Sequence, residues 1–347
     1  MRPQRHHLIP QQTARAVPTP PHSPPIENWP LSNYFQQRIR DMPSALQLIP
    51  LVINQSLGPQ ILNRTPEPDH QVVTDKQNSV SEYDQVMKTK LAISYAVATE
   101  AIYRTRLRSI SSALDIACGP GHLSINMARD LEIDELTGID LSKTMIETAS
   151  ANARSQEIGS VRFQQGDATQ LKFQDSTFDL CTMMDAIHHL PSLDVVSKSL
   201  NEMERVTKPD GHIVVMDLVR LRTRELTERY VKLVGSEYAD LGLKDFYDQF
   251  QDSMHAAWTP DELASTVPAD SHRNWIQIVP RGLPFAQFLF GLPVGQNDVF
   301  QRAGSPWKTP PVRLEDISEY RLASMGIHLG TKKRIMPASR ASSCPVQ

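Results

Sequence analysis

The chain has 347 residues, 40% hydrophobic and 22% charged, enough for one large domain or two small ones. Its 36 Lys and Arg against 39 Asp and Glu give a net charge of −3, which argues against a general nucleic-acid binder, and no apolar run approaches the ~20 residues of a membrane span. Three widely spaced cysteines (Cys118, Cys181, Cys344) argue against a disulfide scaffold and point to a reducing cytoplasm.

Thirteen of the 26 prolines fall within residues 1–68. Pro18, Pro20, Pro21, Pro24 and Pro25 deny the opening stretch a helix or a central strand, so residues 1–61 read as a disordered or polyproline arm. A transit peptide is the less favoured alternative, because helical periodicity is missing. From Pro293 the chain is again rich in Pro, Ser and basic residues, so 292–347 read as a tail and 62–291 as the single folded domain.

Within that domain Tyr83, Val86, Met87, Leu91, Val97 and Ile102 predict a helix over 81–103. Ala113 to Ala117 reads as a buried strand, followed by a glycine turn and a helix carrying Leu123 and Met127. Leu136 to Ile139 is a second strand, after which Ser142 caps a helix with Met145, Ala149 and Ala153 on one face. Val161 to Gln165 and Phe178 to Met183 are strands three and four, and Lys208-Pro209-Asp210-Gly211 turns into strand five, His212 to Met216. Two amphipathic helices then form an insertion over 218–258, one with Leu226, Tyr230 and Leu233, the other with Phe246, Phe250 and Met254. Thr259-Pro260-Asp261-Glu262 is a capping box, and Trp275 to Val279 with Phe285 to Phe290 flank the short turn Pro280-Arg281-Gly282 as an antiparallel hairpin. The pattern predicts a doubly wound, mostly parallel, seven-stranded Rossmann-like α/β sheet that ends in a hairpin and carries a helical lid. Its ligand belongs beyond the strands' carboxyl ends.

The chemistry begins at Asp115-Ile116-Ala117-Cys118-Gly119-Pro120-Gly121, where two glycines let the backbone approach a ligand at a helix N-terminus. Asp140 ends strand two about 20 residues on, where an acid can hold two ribose hydroxyls. Gly166-Asp167-Ala168 ends strand three, where a carboxylate can accept from an exocyclic amine. Asp115 would repel a pyrophosphate but suits a ligand with an ammonium and a sulfonium.

Taken in order, these segments resemble the class I S-adenosylmethionine-dependent methyltransferases, in the broad group that includes the ubiquinone and menaquinone biosynthesis type. Leu136 to Ser142 resembles the second motif, Phe178-Asp179-Leu180 to His188-His189-Leu190 the strand-four motif, and Pro209-Asp210-Gly211 the strand-five turn. The resemblance implies S-adenosyl-L-methionine as cofactor. It places Gly119 and Gly121 at the methionine part, Asp140 at the ribose, Asp167 and Ala168 at the adenine with Met145 beside it, and Asp115 at the amino group. Ser124 stands at the third position of a dinucleotide fingerprint, which favours the methyl donor over NAD.

Methyl transfer draws mainly on positioning and needs a base only if the acceptor loses a proton. Asp185, His188 and His189 after strand four are the candidates, with Asp217 after strand five; the plainer readings are backbone-bonded or solvent-facing rings and an Asp217–Arg220 salt bridge. No metal is expected, since the adjacent side chains of His188 and His189 should diverge and no third ligand stands at metal spacing. The expected acceptor is a small or medium organic molecule, partly hydrophobic under the lid, with neither nucleic acid nor stable membrane insertion involved. A cofactor-binding module without turnover and an NAD(P)-dependent oxidoreductase are the alternatives.

Overall fold

In the computed structural model, which describes residues 43–67, 76–87, 91–105, 107, 109–300, 312 and 317–337, the expected alternation of strands and helices builds one sheet. Apart from Pro43, every described residue belongs to the second of two compact units, Ser44–Gln347. The strands are β1 (Ser112–Ile116), β2 (Glu135–Asp140), β3 (Val161–Gln165), β4 (Phe178–Met184), β5 (Thr207–Leu218), β6 (Asn274–Val279), β7 (Ala286–Leu292) and β8 (Thr331–Ile335). Their order is β3-β2-β1-β4-β5-β7-β6-β8. The first five are parallel, and β7, β6 and β8 continue the sheet with antiparallel pairings.

Side-chain alternation splits the core between the two faces of the sheet. Cys181, Ile213, Val215 and Leu289 face Val196, Leu200 and Met203 on one side. Leu180, Val214, Phe288 and Phe290 face Ala98 and Ile102 on the other. The helices are α1 (Pro43–Leu57), α2 (Gln77–Met87), α3 (Leu91–Arg104), α4 (His122–Asp130), α5 (Lys143–Ser155), α6 (Leu193–Val206), α7 (Arg224–Asp240), α8 (Lys244–Ala256), α9 (Pro260–Ala264) and α10 (Ile317–His328). Ser142 caps α5 by accepting from the Met145 amide, and Thr259 and Glu262 close the capping box of α9. No described helix is long and apolar enough to cross a membrane.

The structure differs from the sequence-based expectation at several points. The sheet has eight strands rather than seven: β8 pairs antiparallel with β6, Trp275 opposite Ile335. Its sequence, Thr-Lys-Lys-Arg-Ile, lacks an apolar alternation because an edge strand keeps solvated basic side chains. The helix expected over 81–103 is two, one ending at Met87 and one starting at Leu91. The Pro209 turn is a bulge inside a longer β5, since pairing jumps from Phe178–Thr207 to Leu180–His212. Within the stretch read as an arm, α1 forms despite Pro50. An internal proline costs about 3 kcal/mol, which Leu48, Leu51 and Val52 offset by packing with Leu221, Leu226, Met254 and Phe285. Residues 1–42, with His6 and His7, and most of the tail, with Cys344, lie outside the described residues.

Candidate functional site

The strand order turns back at β1 and β4, and loops diverge there at the carboxyl ends. The turn after β1 takes Ala117, Gly119 and Gly121 through positive φ (55°, 52° and 81°). It is tied to β2 by backbone: the Cys118 amide donates to the Ile139 carbonyl (2.9 Å), and the Gly119 amide to Asp140 Oδ2 (2.9 Å). Asp140 Oδ1 accepts from the Ser142 amide at 2.9 Å, and the Asp140 carbonyl from the Gly166 amide at 2.9 Å. Burial pushes the Asp140 carboxyl up, against those two side-chain-directed amides.

A cavity of about 150 Å³ opens here, and Gly119, Asp140, Met145, Asp167 and Ala168 all line it. Asp167 Oδ1 accepts from the Thr169 amide and hydroxyl (2.7 and 2.8 Å), so both bonds fall on one of its two oxygens. Two of the expected residues lie behind the wall instead. Asp115 is 2% exposed, with its oxygens taken by the Ser124 hydroxyl (2.5 Å) and the Thr182 hydroxyl (2.7 Å). Burial raises its carboxyl to about 6 in spite of both donors. At Gly121 a Cβ would stand 2.6 Å from Phe163 Cζ and 2.9 Å from Ala149 Cβ, so this glycine serves the packing of the turn.

A second cavity, of about 250 Å³, adjoins the first. Its walls are mostly apolar, from Val97 on α3, Tyr230 on α7, Phe246 and Phe250 on α8, and Phe288 on β7. Tyr83, Asp185, His189 and Gln249 line both cavities, so the two share one polar boundary.

That boundary is built by the chain leaving β4. Asp185 sits at φ 50°, its amide donating to the Met216 carbonyl (2.8 Å), and the 3₁₀ turn Ile187–His189 follows. His188 Nδ1 is 2.6 Å from Asp217 Oδ1, which also accepts from the Leu218 amide (2.6 Å), while Oδ2 accepts from the His188 amide (2.9 Å). Burial alone would lower the His188 imidazole, but the Asp217 charge and hydrogen bond override it and raise the pKa to about 9. Asp185 moves the other way: burial, joined by the Asp217 charge, lifts its carboxyl to about 7 although His188 pulls it down.

The two histidines do not diverge as expected; their ring centroids are 4.1 Å apart. The short 3₁₀ turn aims both rings inward, and each meets a carboxylate. His189 Nδ1 lies 2.5 Å from Glu67 Oε2, and Ser253 donates to Glu67 Oε1 at 2.6 Å. A third potential ligand therefore stands beside the pair after all, with Glu67, His188 and His189 offering atoms within 4.8 Å of one another. Sequence spacing gave no sign of it, because Glu67 is far away in the chain. With an Nδ1 of each ring on its own carboxylate, the group forms two histidine–carboxylate pairs. Arg220, the partner considered for Asp217, pairs with Glu262 instead (2.8 Å).

Comparison with known proteins bears on the same segment. A family model described as a methyltransferase domain matches residues 113–211, from β1 to the bulge of β5. Residues 113–211 thus carry a methyltransferase domain. The chain is similar to an uncharacterized methyltransferase, YcgJ, of Bacillus subtilis (strain 168), with 38% identity over 32% of this chain and 42% of that protein. It is similar to a demethylmenaquinone methyltransferase of Desulfitobacterium hafniense (strain Y51), 29% identical over 56% of this chain and 79% of that protein. Among solved structures, the YcgJ protein aligns over 57% of this chain and 99% of its own, at 23% identity and a TM-score of 0.36.

Several residues of the candidate site lie outside residues 113–211, and sequence reasoning did not single them out. Arg64 holds the histidine turn: its guanidinium donates to the carbonyls of His188 (3.0 Å), Leu190 (2.8 Å), Pro191 (3.0 Å) and Ala256 (2.6 Å). It also stacks 3.7 Å over the Trp258 ring. Arg64 and Glu67 stand among Pro66 and Pro68, where the composition suggested an irregular linker. Gln249 had a weak signal, as a polar residue interrupting the apolar face of α8 between Phe246 and Phe250.

Proposed function

We propose that the chain transfers the methyl group of S-adenosylmethionine to a largely apolar small molecule held in the larger cavity. One observation carries this reading: the two cavities adjoin at Tyr83, Asp185, His189 and Gln249, the arrangement that transfer between a donor and an acceptor requires. Asp140 would accept from the ribose hydroxyls with its oxygens fixed by Gly119 and Ser142. Gly119 would leave room for the methionine part, and Met145, Asp167 and Ala168 would surround the adenine. A side chain built at Gly119 would have nothing nearer than Tyr83 at 3.8 Å, which accords with a turn left open for a ligand. Asp115 and Gly121 would act at one remove, the first through Ser124 and Thr182 and the second through the packing of the turn. When bound, the cofactor supplies an electrophilic methyl on a sulfonium; the protein's part is to hold both partners and exclude water.

The segment 218–258 supplies α7 and α8, which wall the acceptor cavity and would act as its lid. Aromatic packing at Tyr83–Phe246 (5.5 Å) and Tyr230–Phe285 (4.2 Å) suits a ring-bearing acceptor, and relatives named for demethylmenaquinone suggest that broad kind. A reducing, cytoplasmic home is part of the reading and agrees with the free thiols of Cys118 and Cys181. Calorimetric titration with S-adenosylmethionine, S-adenosylhomocysteine and NADH tests it: the first two should bind and NADH should not. Binding of NADH alone would refute the methyl-transfer reading.

A further inference from the structure

Three successive residues of α2, Glu82, Tyr83 and Asp84, reach three different parts of the molecule, since each helical step turns a side chain by about 100°. We infer that Asp84 and Glu82 are positioning residues that couple the two cavities. Asp84 seats α2 on the glycine turn so that Tyr83 closes on the cofactor, and Glu82 carries that seating to the start of α8, in the wall of the acceptor cavity. The inference rests on the methyl-transfer reading and adds how its two sites communicate.

Asp84 Oδ1 accepts from Asn152 Nδ2 (2.7 Å) and lies 2.7 Å from His122 Nε2. Asn152, on α5, also donates to the Pro120 carbonyl (2.9 Å), and His122 is the first residue of α4. The carboxylate is thereby joined to the turn between Gly119 and Gly121. Tyr83 faces the cavities and lines both; its Cε1 would stand 3.8 Å from a Cβ at Gly119, so the ring overhangs the same turn. Glu82 Oε2 accepts from the Phe246 amide (3.0 Å), and Ser79 Oγ donates to Asp245 Oδ2 (3.1 Å). Leu243, at the N-cap of α8, has no side chain that can accept from the first-turn amides, so the cap of α8 comes from α2. Placed there, the Glu82 carboxylate also meets the positive end of the α8 dipole.

Two positions of α2 differ in what they offer each ligand. Seated, α2 holds Tyr83 over the turn and caps α8, which keeps Phe246 in the wall of the larger cavity beside Met87. Lifted, it withdraws Tyr83 and uncaps the start of α8, whose other end stays clasped by Arg64 at the Ala256 carbonyl. A cofactor packed under Tyr83 binds the seated position better and so draws the start of α8 into place before an acceptor arrives. By linkage, an acceptor packed on Phe246 tightens the cofactor by the same factor. Neither Asp84 nor Glu82 lines a cavity, so both act through their neighbours.

The test is hydrogen exchange on the full chain with and without S-adenosylhomocysteine, with affinities from calorimetry. In the wild type the ligand should slow exchange at residues 118–121 and, by about fivefold or more, at residues 244–250. Glu82→Ala should still bind the ligand but lose the slowing at 244–250. Asp84→Ala should lose that slowing too and weaken binding about fivefold, the net worth of one hydrogen bond. Asp84→Asn, which keeps an oxygen for Asn152, should restore both, a rescue that general destabilisation would not give. Should Asp84→Ala not fold, Glu82→Ala and Asp84→Asn decide. Protection confined to 118–121 in the wild type, or slowing at 244–250 that survives Glu82→Ala or Asp84→Ala, overturns the inference while cofactor binding stands. Failure of S-adenosylhomocysteine to bind removes both readings together.

Discussion

Arg64→Ala should loosen the histidine turn without touching either cavity wall. The guanidinium donates to four carbonyls, at Ala256, Leu190, His188 and Pro191, and stacks on Trp258, so it clasps the end of α8 to the chain after β4. The bond to Pro191 is solvent-exposed and replaceable by water, whereas the other three are part-buried. At about 1 kcal/mol net for each of those three, and with the ring contact adding roughly 0.5–1, the loss should come to about 3–4 kcal/mol. For a domain of this size that corresponds to a fall in Tm of roughly 6–16 °C. Differential scanning fluorimetry gives the melting temperature, and hydrogen exchange locates the change: amides of residues 187–191 and the end of α8 should lose protection while β1 and β2 keep theirs. S-adenosylhomocysteine affinity should hold within a few-fold, since Arg64 does not line the cofactor cavity. A melting temperature within a degree of wild type, or protection lost evenly across the sheet, would refute the clasp.

Asp140→Ala should weaken S-adenosylmethionine binding by more than tenfold in a folded protein, because hydrogen bonds to a charged group are worth about 1.5–3 kcal/mol; calorimetry decides. For an acceptor that must lose a proton, kcat/KM should rise as Asp185 loses its proton at about 7 and fall as His188 loses its own at about 9. Asp217→Asn should bring the falling limb to lower pH, and a profile unmoved by that change would count against the pair. Gly121→Ala should cost about 2–4 kcal/mol, from the contacts with Phe163 and Ala149 and from φ 81°, measured by denaturant unfolding. Gly119→Ala, at φ 52° but with open space, should stay folded and instead lose cofactor affinity.

The strands that the sequence made legible are those buried on both sides, where apolar runs such as Ala113 to Ala117 and Phe178 to Met184 leave no competing period. That Gly119, Asp140, Met145, Asp167 and Ala168 line one cavity was legible for a related reason: they stand at or near strand ends, and strand ends can be counted. Asp115 and Gly121 show the limit of that counting, since a position in a motif does not say on which side of the backbone the side chain falls. β8 was illegible because an edge strand needs no apolar face, and α1 because Pro50 hid an otherwise adequate apolar stripe. Glu67 and Arg64 could not be found by spacing, for their partners at His189 and His188 are more than a hundred residues away.

The two cavities are held by different forces, and their behaviour should follow. Around the first, the Cys118 and Gly166 amides bond backbone carbonyls and the Gly119 amide the Asp140 carboxylate, joining β1, β2 and the chain after β3, so its shape is set once the parallel sheet forms. The second is walled by α2, α3, α7 and α8, whose contacts there are largely apolar and aromatic, such as Tyr83 with Phe246 and Tyr238 with Phe246 (4.9 Å). Apolar contacts are non-directional and tolerate sliding, whereas a ladder of amides does not. On the function proposed above, an acceptor would enter by moving α7 and with it α8 about the end that Arg64 clasps, while the surroundings of the smaller cavity stay fixed. The polar boundary lies between these regimes. His188 is anchored to the sheet through Asp217 on β5, and His189 is tied through Glu67 to Ser253 on helix α8. Closing the helices over an acceptor would thus set the position of His189, while His188 keeps its place whether the acceptor cavity is open or shut.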